Sequence, residues 1–494
     1  MICVCIGRGR HKHTLAEHRY LAEQGVRLVE LRVDYIRSQV NIKRLLADRP
    51  CPCIVTCRRE QDGGQWTGTE QARQLVLRTA IVEGADYVDL EDDIAGSIPR
   101  FGKTKRIISY HNFRETPDDL EGIHRQMADY DPDIIKVATM AHRPSDNLRV
   151  LRLMRNAEIP TIGLCMGEVG TPTRILAGKF GAPFTYATFL HERQLAPGQL
   201  SFKQMREVFR YDSIRASTEV YGVVADPVTQ NLNPVLLNAA FHHLKQNKVF
   251  VPFRVPPDEL GSFMDSCSEL GIKGLIVTVP HKEAIPRFLT QIDDAVRDVG
   301  TASTVVFERG GVVGYNTDYR AFLSCLDEVF PDVARERMMV GKTALVMGAG
   351  GLAKAIVYAL KQREADVVIT SRTHERAKEL AEQLKARTAQ WYERQKVETN
   401  LIVNATPIGM HPNVDESPYD PTILSRSTIV FDTVHNPEQT LLVKGARDVG
   451  CRVITGVDLF IRQAAQQCAH FTGQEPPLEL MRTELKRAIG PAQA

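Results

Sequence analysis

Along the first two hundred residues, short apolar and β-branched runs alternate with polar loops and with stretches of helical periodicity. The runs are MICVCI, VRLVELRVD, CIVTCR, DYVDLE, RIISYH, DIIKVA, TIGLCM and FTYATF. Strands that alternate with helices predict a parallel sheet, and this many units in this length predict an α/β fold of the closed (β/α)8 TIM barrel type. One run is interrupted by a charge: in DPDIIKVATM, Lys136 follows two isoleucines and precedes Val137 and Ala138. In a strand covered on both faces an ammonium is costly. Two readings follow. Lys136 lies on an edge strand, its stem on apolar surface and its head in water, or it is an amine nucleophile whose pKa is depressed by its surroundings.

After LAPGQLSF and the helical KQMREVF, a new strand rhythm starts near Thr218. The segments from GLIVTVPHKEAI to VVGYNTDYRAF belong to a second unit, KTALVMGAGGLAKAIVYAL opens a third, and a helical segment from DLFIRQAAQQ closes the chain. In the third unit Gly348, Gly350 and Ala353 fall on a strand-to-helix turn with G-x-G-x-x-A spacing, where a pyrophosphate can approach the backbone and meet a helix N-terminus. The next strand ends in Ser371-Arg372-Thr373, where an NAD enzyme would carry an acidic residue. Arg372, with Arg376 one helical turn later, suits a ribose 2′-phosphate, so NADP is expected; an ordinary βαβ unit with a solvated arginine is the alternative. Upstream, Lys282 ends VTVPHK and Asp318 ends GYNTD. Singly each reads as surface charge. Paired in a cleft beside a nicotinamide, they would shuttle the proton that accompanies hydride transfer to a ketone.

The 494-residue chain is too long for one core at about 100–200 residues per domain. Lys and Arg number 62 against 60 Asp and Glu, a net charge of +2 with no long block of one sign. Neither a nucleic-acid stripe nor an acidic tail is indicated, which leaves a small-molecule role. The opening MICVCIGRGRHKH has too short an apolar run for a signal peptide, and no run approaches the roughly 18 residues of a membrane span. A cytoplasmic protein with no membrane contact is expected. Ten cysteines include C-x-C pairs at Cys3/Cys5 and Cys51/Cys53 but no C-x-x-C and no His-rich partner segment, so buried thiols are expected and no metal site.

Six motifs give the first half a family likeness: ELRVD (Glu30, Arg32, Asp34), TCRREQDGG (Arg58), SYHNF (His111), DIIKVA (Lys136), CMGEVGTPTR (Arg174) and APGQ (Gln199). In this order they resemble type I 3-dehydroquinate dehydratase, from Met1 to about Arg210. The resemblance implies that Lys136 forms a Schiff base with the ketone of 3-dehydroquinate, an electron sink that eases removal of the proton beside the carbonyl. It makes His111 the base, which also assists Schiff-base turnover and returns a proton to the departing hydroxyl. Glu30, Arg32, Arg58, Arg174 and Gln199 would bind substrate, the arginines holding its carboxylate while depressing Lys136 by like-charge repulsion. Two positions depart from the family pattern. Asp62 stands where a longer Glu would hold His111, and Leu195 replaces a serine before APGQ.

In the second half YGVVADP, VTVPHK, GYNTD, GAGGLA, SRT and NATPIGM stand in the order of shikimate dehydrogenase, which this half resembles from roughly Thr218 onward. The resemblance implies that Lys282 and Asp318 are catalytic and that Thr278, Gln463, Asn231, Asn233 and Ser303 bind substrate. It assigns NADP to Gly348, Ala349, Gly350, Gly351, Leu352 and Ala353 with Ser371, Arg372, Thr373 and Arg376. The expected domains are a barrel over 1–212, a substrate-binding domain over 217–320 and a Rossmann domain over 321–467, with a C-terminal helix 468–490 packing back on the second. The departures here cluster in the substrate pocket: NLNP for S-x-S-P, and Ile276 and Ser303 where the family has Asn. Joined, the halves imply dehydration of 3-dehydroquinate to 3-dehydroshikimate, then reduction to shikimate with NADPH. The pocket departures leave open a quinate-type second half, or one that binds NADP without catalysis.

Overall fold

The structure is a computed structural model in which residues 1–228, 231–329 and 339–490 are described. The chain divides into two compact units. The first holds Met1–Val220, a short stretch from Asp226, and Asn247–Gly271; the second holds Tyr221–Ala225, the chain up to Gln246, and everything from Ile272 onward.

The first unit is built on β1 (Ile2–Ile6), β2 (Val29–Arg32), β3 (Cys53–Thr56), β4 (Tyr87–Glu91), β5 (Lys105–Asn112), β6 (Ile134–Met140), β7 (Thr161–Met166) and β8 (Thr185–Thr188). Their order is β7-β6-β5-β4-β3-β2-β1-β8, each neighbouring pair parallel. The expected closed barrel has one seam: among the described residues no ladder joins β7 to β8. Thr185 Oγ1 donating to the Arg174 carbonyl (3.0 Å) and Gly167 N donating to the Pro197 carbonyl (3.2 Å) span it instead. β6 is paired on both sides, so the edge-strand reading of Lys136 is excluded.

Side chains alternate along a strand, so every second residue of these strands points inward. One inward layer is apolar: Cys3, Leu28, Ile54, Ile107, Ile134, Ile162 and Phe184 share a buried cluster with Tyr87 packed against it. Two residues further along each strand stand Cys5, Glu30, Thr56, Asp89, Ser109, Lys136, Leu164 and Tyr186. The layer toward the strands' C-terminal ends is therefore charged and rests on a greasy one, the layered filling that an eight-stranded barrel requires.

Beyond the barrel come β9 (Glu219–Ala225), β10 (Lys248–Arg254), β11 (Ile272–Val277), β12 (Gln291–Ile292), β13 (Thr304–Glu308) and β14 (Gly311–Tyr315). In the second unit β11, β13 and β14 pair antiparallel in succession and β12 runs parallel to β14. A parallel sheet follows: β15 (Thr343–Met347), β16 (Asp366–Thr370), β17 (Arg387–Thr388), β18 (Leu401–Asn404), β19 (Ile429–Asp432) and β20 (Arg452–Ile454). Its order, β17-β16-β15-β18-β19-β20, is the Rossmann arrangement, with a ligand crevice where the order reverses beside β15.

The single C-terminal helix expected over 468–490 is two helices, Gly456–Thr472 and Leu478–Ile489. The first starts at a capping box formed by Thr455 and Asp458 and stops at Gly473, with Pro476 and Pro477 beyond. Both pack against helix Asn233–His243. The return thus begins at Gly456, inside the stretch assigned to the Rossmann domain, because the capping box starts the helix there.

Gly198 holds φ at +72°, and a Cβ on it would lie 2.3 Å from the Gly167 carbonyl. Gly198→Ala is expected to destabilise the barrel by about 1–3 kcal/mol, seen as a lower thermal midpoint. An unchanged midpoint would show that this close approach is dispensable.

Candidate active sites

Lys136 is buried, and the groups that touch it are carboxylates. Its Nζ lies 3.0 Å from Asp89 Oδ2 and 3.7 Å from Glu30 Oε1, and 4.4 Å from the centre of the Tyr186 ring. Arg58 stands on the other side of Asp89: Nη2 donates to Asp89 Oδ1 (2.8 Å), and Nη1 donates to Glu91 Oε1 and to Ser109 Oγ (both 2.9 Å). Ser109 Oγ donates in turn to Asp89 Oδ1 (2.6 Å). Arg32 makes two hydrogen bonds to Asp34. The expectation of arginines crowding Lys136 is corrected. Arg32 and Arg58 are each matched to carboxylates, because a buried guanidinium left unpaired is strongly destabilising.

Burial alone would raise the Asp89 carboxyl, but the charges of Arg58 and Lys136, with the hydrogen bond from Ser109, outweigh it and hold the group far below the usual carboxylate range. Glu30 is likewise raised by burial and held low by Lys136 and Arg32; it accepts a hydrogen bond from Thr56 Oγ1 (2.9 Å). For His111 burial disfavours the imidazolium, Arg58 and Lys136 reinforce it, and its pKa falls well below the ordinary value. Its Nδ1 is buried with no partner among the described residues, and its ring stacks 6.4 Å from Phe113. Asp62, expected to hold His111, instead accepts from Arg59 Nε (2.6 Å), a nearer partner for its short side chain.

Arg174 differs from Arg32 and Arg58. It is fully buried on helix Thr171–Leu176. Nη2 donates to the Pro197 carbonyl (3.2 Å), Nε has no partner, and no carboxylate pairs with it among the described residues. Burial lowers its pKa to about 10. A buried guanidinium with one carbonyl partner and no counter-charge has donors left to match a carboxylate. Gln199 accepts from Leu195 N (3.1 Å) and places Nε2 3.3 Å from Cys5 Sγ on the inner wall.

Sequence reasoning missed Asp89, Glu91, Ser109 and Arg73. A signal for the acids was present: DYVDLE sets Asp89 and Glu91 two apart, on the face that must point inward. Arg73 carried none. It is fully buried on helix Glu70–Val82, donating to Glu91 Oε2 (2.7 Å) and the Cys57 carbonyl (2.8 Å).

In the second unit Lys282 Nζ is hydrogen-bonded to the Asp318 carboxylate. Asp318 is the second residue of helix Thr317–Val329, and Gln463 Nε2 donates to its Oδ1 (3.1 Å). Thr317 pins this helix start: its hydroxyl meets those of Ser303 (2.9 Å) and Thr304 (3.0 Å) and Gln467 Nε2 (3.3 Å), and its N–H donates to Ser303 Oγ (2.9 Å). Ser303, expected on substrate, therefore has its hydroxyl engaged by Thr317 and positions Asp318. Thr278 is half-buried just after β11, its carbonyl accepting from His281 N (2.8 Å). Asn231 Oδ1 accepts from Asn233 N (2.9 Å), an Asx turn that leaves the Asn231 amide nitrogen as donor; Asn233 is buried and its Oδ1 has no partner among the described residues. Ile276 is buried on β11 opposite Thr304.

Gly348 holds φ at +123°, and a Cβ there would lie 2.6 Å from the Ala405 carbonyl, so the turn after β15 demands glycine. Around Gly350 an added Cβ meets nothing within 4 Å, and helix Gly351–Gln362 begins beside that space. Ala349 and Leu352 pack partly, and Ala353 fully, into the core. Gly351 adjoins Lys282, whose Cβ would be 3.4 Å from an added Cβ. Past β16, Ser371 is half-buried, while Arg372, Thr373 and Arg376 are exposed; among the described residues neither arginine is ion-paired. Open backbone at a helix N-terminus with two unmatched guanidiniums nearby fits NADP. Among the described residues no three His, Cys, Asp or Glu side chains are grouped to hold a metal, and no helix is long and apolar enough to cross a membrane.

A barrel with an amine set in a buried charged layer, joined to a Rossmann unit with a Lys–Asp pair at its crevice, defines a two-part α/β enzyme: a lyase coupled to a nicotinamide-dependent oxidoreductase. Four family descriptions match in chain order: Type I 3-dehydroquinase over 2–216, shikimate dehydrogenase substrate binding domain over 223–305, Shikimate / quinate 5-dehydrogenase over 332–406, and Shikimate 5'-dehydrogenase C-terminal domain over 456–486. The chain is 35% identical over 481 residues to the chloroplastic bifunctional 3-dehydroquinate dehydratase/shikimate dehydrogenase of Arabidopsis thaliana, spanning 93% of this chain and 79% of that one. It is 37% identical over 283 residues to the shikimate dehydrogenase (NADP(+)) of Methanopyrus kandleri, 55% of this chain and 96% of that one. A solved shikimate dehydrogenase in complex with NADP+ matches with a TM-score of 0.52 at 33% identity, over 56% of this chain and 98% of its own. The chain belongs to the family of bifunctional 3-dehydroquinate dehydratase/shikimate dehydrogenases.

Burial and neighbouring positive charge keep His111 neutral as pH falls. The kcat/KM of dehydration is therefore expected to hold through the ordinary imidazole value of about 6.5 and to decline only below it. An acid limb at or above that value would remove His111 as the base. At the other site, Arg372→Ala is expected to erase most of the preference for NADPH over NADH, measured as the ratio of kcat/KM values; an unchanged ratio would place the 2′-phosphate elsewhere.

Proposed function

We propose that the barrel dehydrates 3-dehydroquinate to 3-dehydroshikimate through a Schiff base on Lys136, and that the second unit reduces this product to shikimate with NADPH. The observation that carries the reading is the pairing of a buried amine held by Asp89 and Glu30 with Arg174, a buried guanidinium that lacks a carboxylate. Arg174 takes the substrate carboxylate, which brings the ketone to Lys136. The amine adds to the carbonyl carbon and water leaves to form the iminium. Asp89 is too acidic to be the base; it stays ionised and stabilises positive charge on the nitrogen. His111, neutral, removes the proton beside the iminium carbon, and returns it to the hydroxyl that departs as water. Hydrolysis of the iminium then frees Lys136.

In the second unit Lys282 would give a proton to the reacting carbonyl oxygen, with Asp318 orienting its ammonium and Gln463 holding Asp318; the Lys282–Asp318 and Gln463–Asp318 hydrogen bonds support this reading. Gly348 to Ala353, with Ser371, Arg372, Thr373 and Arg376, would hold NADPH, which when bound supplies the hydride. The Asn231 amide is a donor for the shikimate-type carboxylate, and we assign Thr278 to the same substrate. We assign domains of 1–212, 217–320 and a Rossmann unit from 321, with the helices from Gly456 returning to the second. We assign the protein to the cytoplasm: all ten cysteines are free, which fits a reducing compartment.

Borohydride added during turnover of 3-dehydroquinate is expected to trap a mass adduct on Lys136, and Lys136→Ala to abolish dehydration while NADPH oxidation by 3-dehydroshikimate continues. An adduct on another residue would overturn the assignment.

A further inference from the structure

Arg174 is carried by a short turn, Gly167–Gly170, that leads from β7 into its helix. The turn closes on itself: Gly170 N donates to the Gly167 carbonyl and Thr171 N to the Glu168 carbonyl, both at 3.2 Å. Thr173 Oγ1 ties the Gly170 carbonyl to Cys165 N, each at 2.8 Å. On one side Gly167 N donates to the Pro197 carbonyl (3.2 Å), the same oxygen that accepts from Arg174 Nη2 (3.2 Å). Turn, guanidinium and the segment before Gln199 therefore share one acceptor.

A single side chain anchors the other side. Glu168 Oε2 lies 2.9 Å from Arg254 Nη1, and Glu168 Oε1 accepts the Val228 N–H at 3.3 Å. Arg254 Nε donates to Asp226 Oδ1 at 2.8 Å. The guanidinium at the end of β10 is thus fixed between two carboxylates, one of them on the turn. All four residues belong to the same compact unit as the barrel. Yet Asp226, Val228 and Arg254 lie in the stretch that matches the shikimate dehydrogenase substrate binding domain.

We infer that Glu168 and Arg254 form a brace that positions Arg174 for the substrate carboxylate, so that residues of the dehydrogenase half complete the geometry of the dehydratase site. The inference rests on the reading of Arg174 as carboxylate receptor. Arg254 touches no reacting group; it is a positioning residue acting through Glu168. Side-chain exposures of 22% for Glu168 and 37% for Arg254 make the pair a modest contributor to folding. Its leverage lies in where it pulls, on the turn that sets the guanidinium of Arg174.

The test is steady-state dehydration by the full chain, with KM and kcat separated. Arg254→Ala and Glu168→Gln are each expected to raise KM for 3-dehydroquinate about threefold or more with kcat within about twofold, and Arg254→Lys to recover part of the loss. The double variant Glu168→Gln/Arg254→Ala is expected to be no worse than the poorer single one, because one interaction is broken twice. Arg174→Gln is measured alongside. If it leaves KM unchanged, the reading of Arg174 fails and the brace with it. If it raises KM while the Glu168 and Arg254 variants do not, or while their effects simply add, the brace is overturned and the reading of Arg174 stands. Should Arg254→Ala fail to fold, Glu168→Gln, nearly equal in volume, carries the test alone.

Discussion

An ammonium inside a barrel requires an ionised partner, and the contact of Lys136 with Asp89 at 3.0 Å is the constraint from which much of the first unit follows. Asp89, fully buried, needs donors of its own, which Arg58 and Ser109 supply. Arg58 then needs a second carboxylate, Glu91, and Glu91 needs Arg73. The series reaches the surface only at Glu70, to which Arg73 donates at 2.8 Å. A ladder of alternating charge thus runs from the amine to the barrel's outer helices. Each rung is stable because its neighbours are present, and removal of one leaves an uncompensated charge behind.

Against that matched ladder the polarity of the pocket becomes readable. Arg32 and Arg58 are committed to carboxylates of the chain, whereas Arg174, among the described residues, has only the Pro197 carbonyl. Burial disfavours an imidazolium at His111, and the positive groups that secure Asp89 disfavour it further. In the second unit a comparable economy centres on Thr317, whose hydroxyl and N–H gather Ser303, Thr304 and Gln467 and so fix the helix turn that carries Asp318. There the Asp318 carboxylate is held at a helix N-terminus, where the backbone N–H groups favour negative charge.

Much of this was legible in the chain. The eight apolar runs correspond to eight strands, and the glycine spacing after β15 stands where the backbone is open at a helix start. Of the site residues, Glu30 and Lys136 share one inward layer, and Arg58 and His111 follow Thr56 and Ser109 of that layer by two positions, the period that keeps a strand's side chains on one face. Other partners were not legible. Ser303 is a hydroxyl in a polar stretch whether it faces a ligand or Thr317, and Asp62 pairs with Arg59 because that guanidinium is closer. The start of the returning helix at Gly456 hinges on a capping box that earns its meaning only once Thr455 and Asp458 are seen to satisfy each other.

By itself the sequence determined the order of elements, because strand periodicity and glycine turns are properties of local chain geometry, and through its motifs it carried the family resemblance that implied two kinds of chemistry. Only the tertiary structure decided which charge answers which. The partners of Lys136, the solitude of Arg174 and the link from Glu168 to Arg254 join residues tens of positions apart, and in a low-dielectric interior the nearest opposite charge dominates. Which charge is nearest depends on how the strands close and not on how the residues are spaced along the chain.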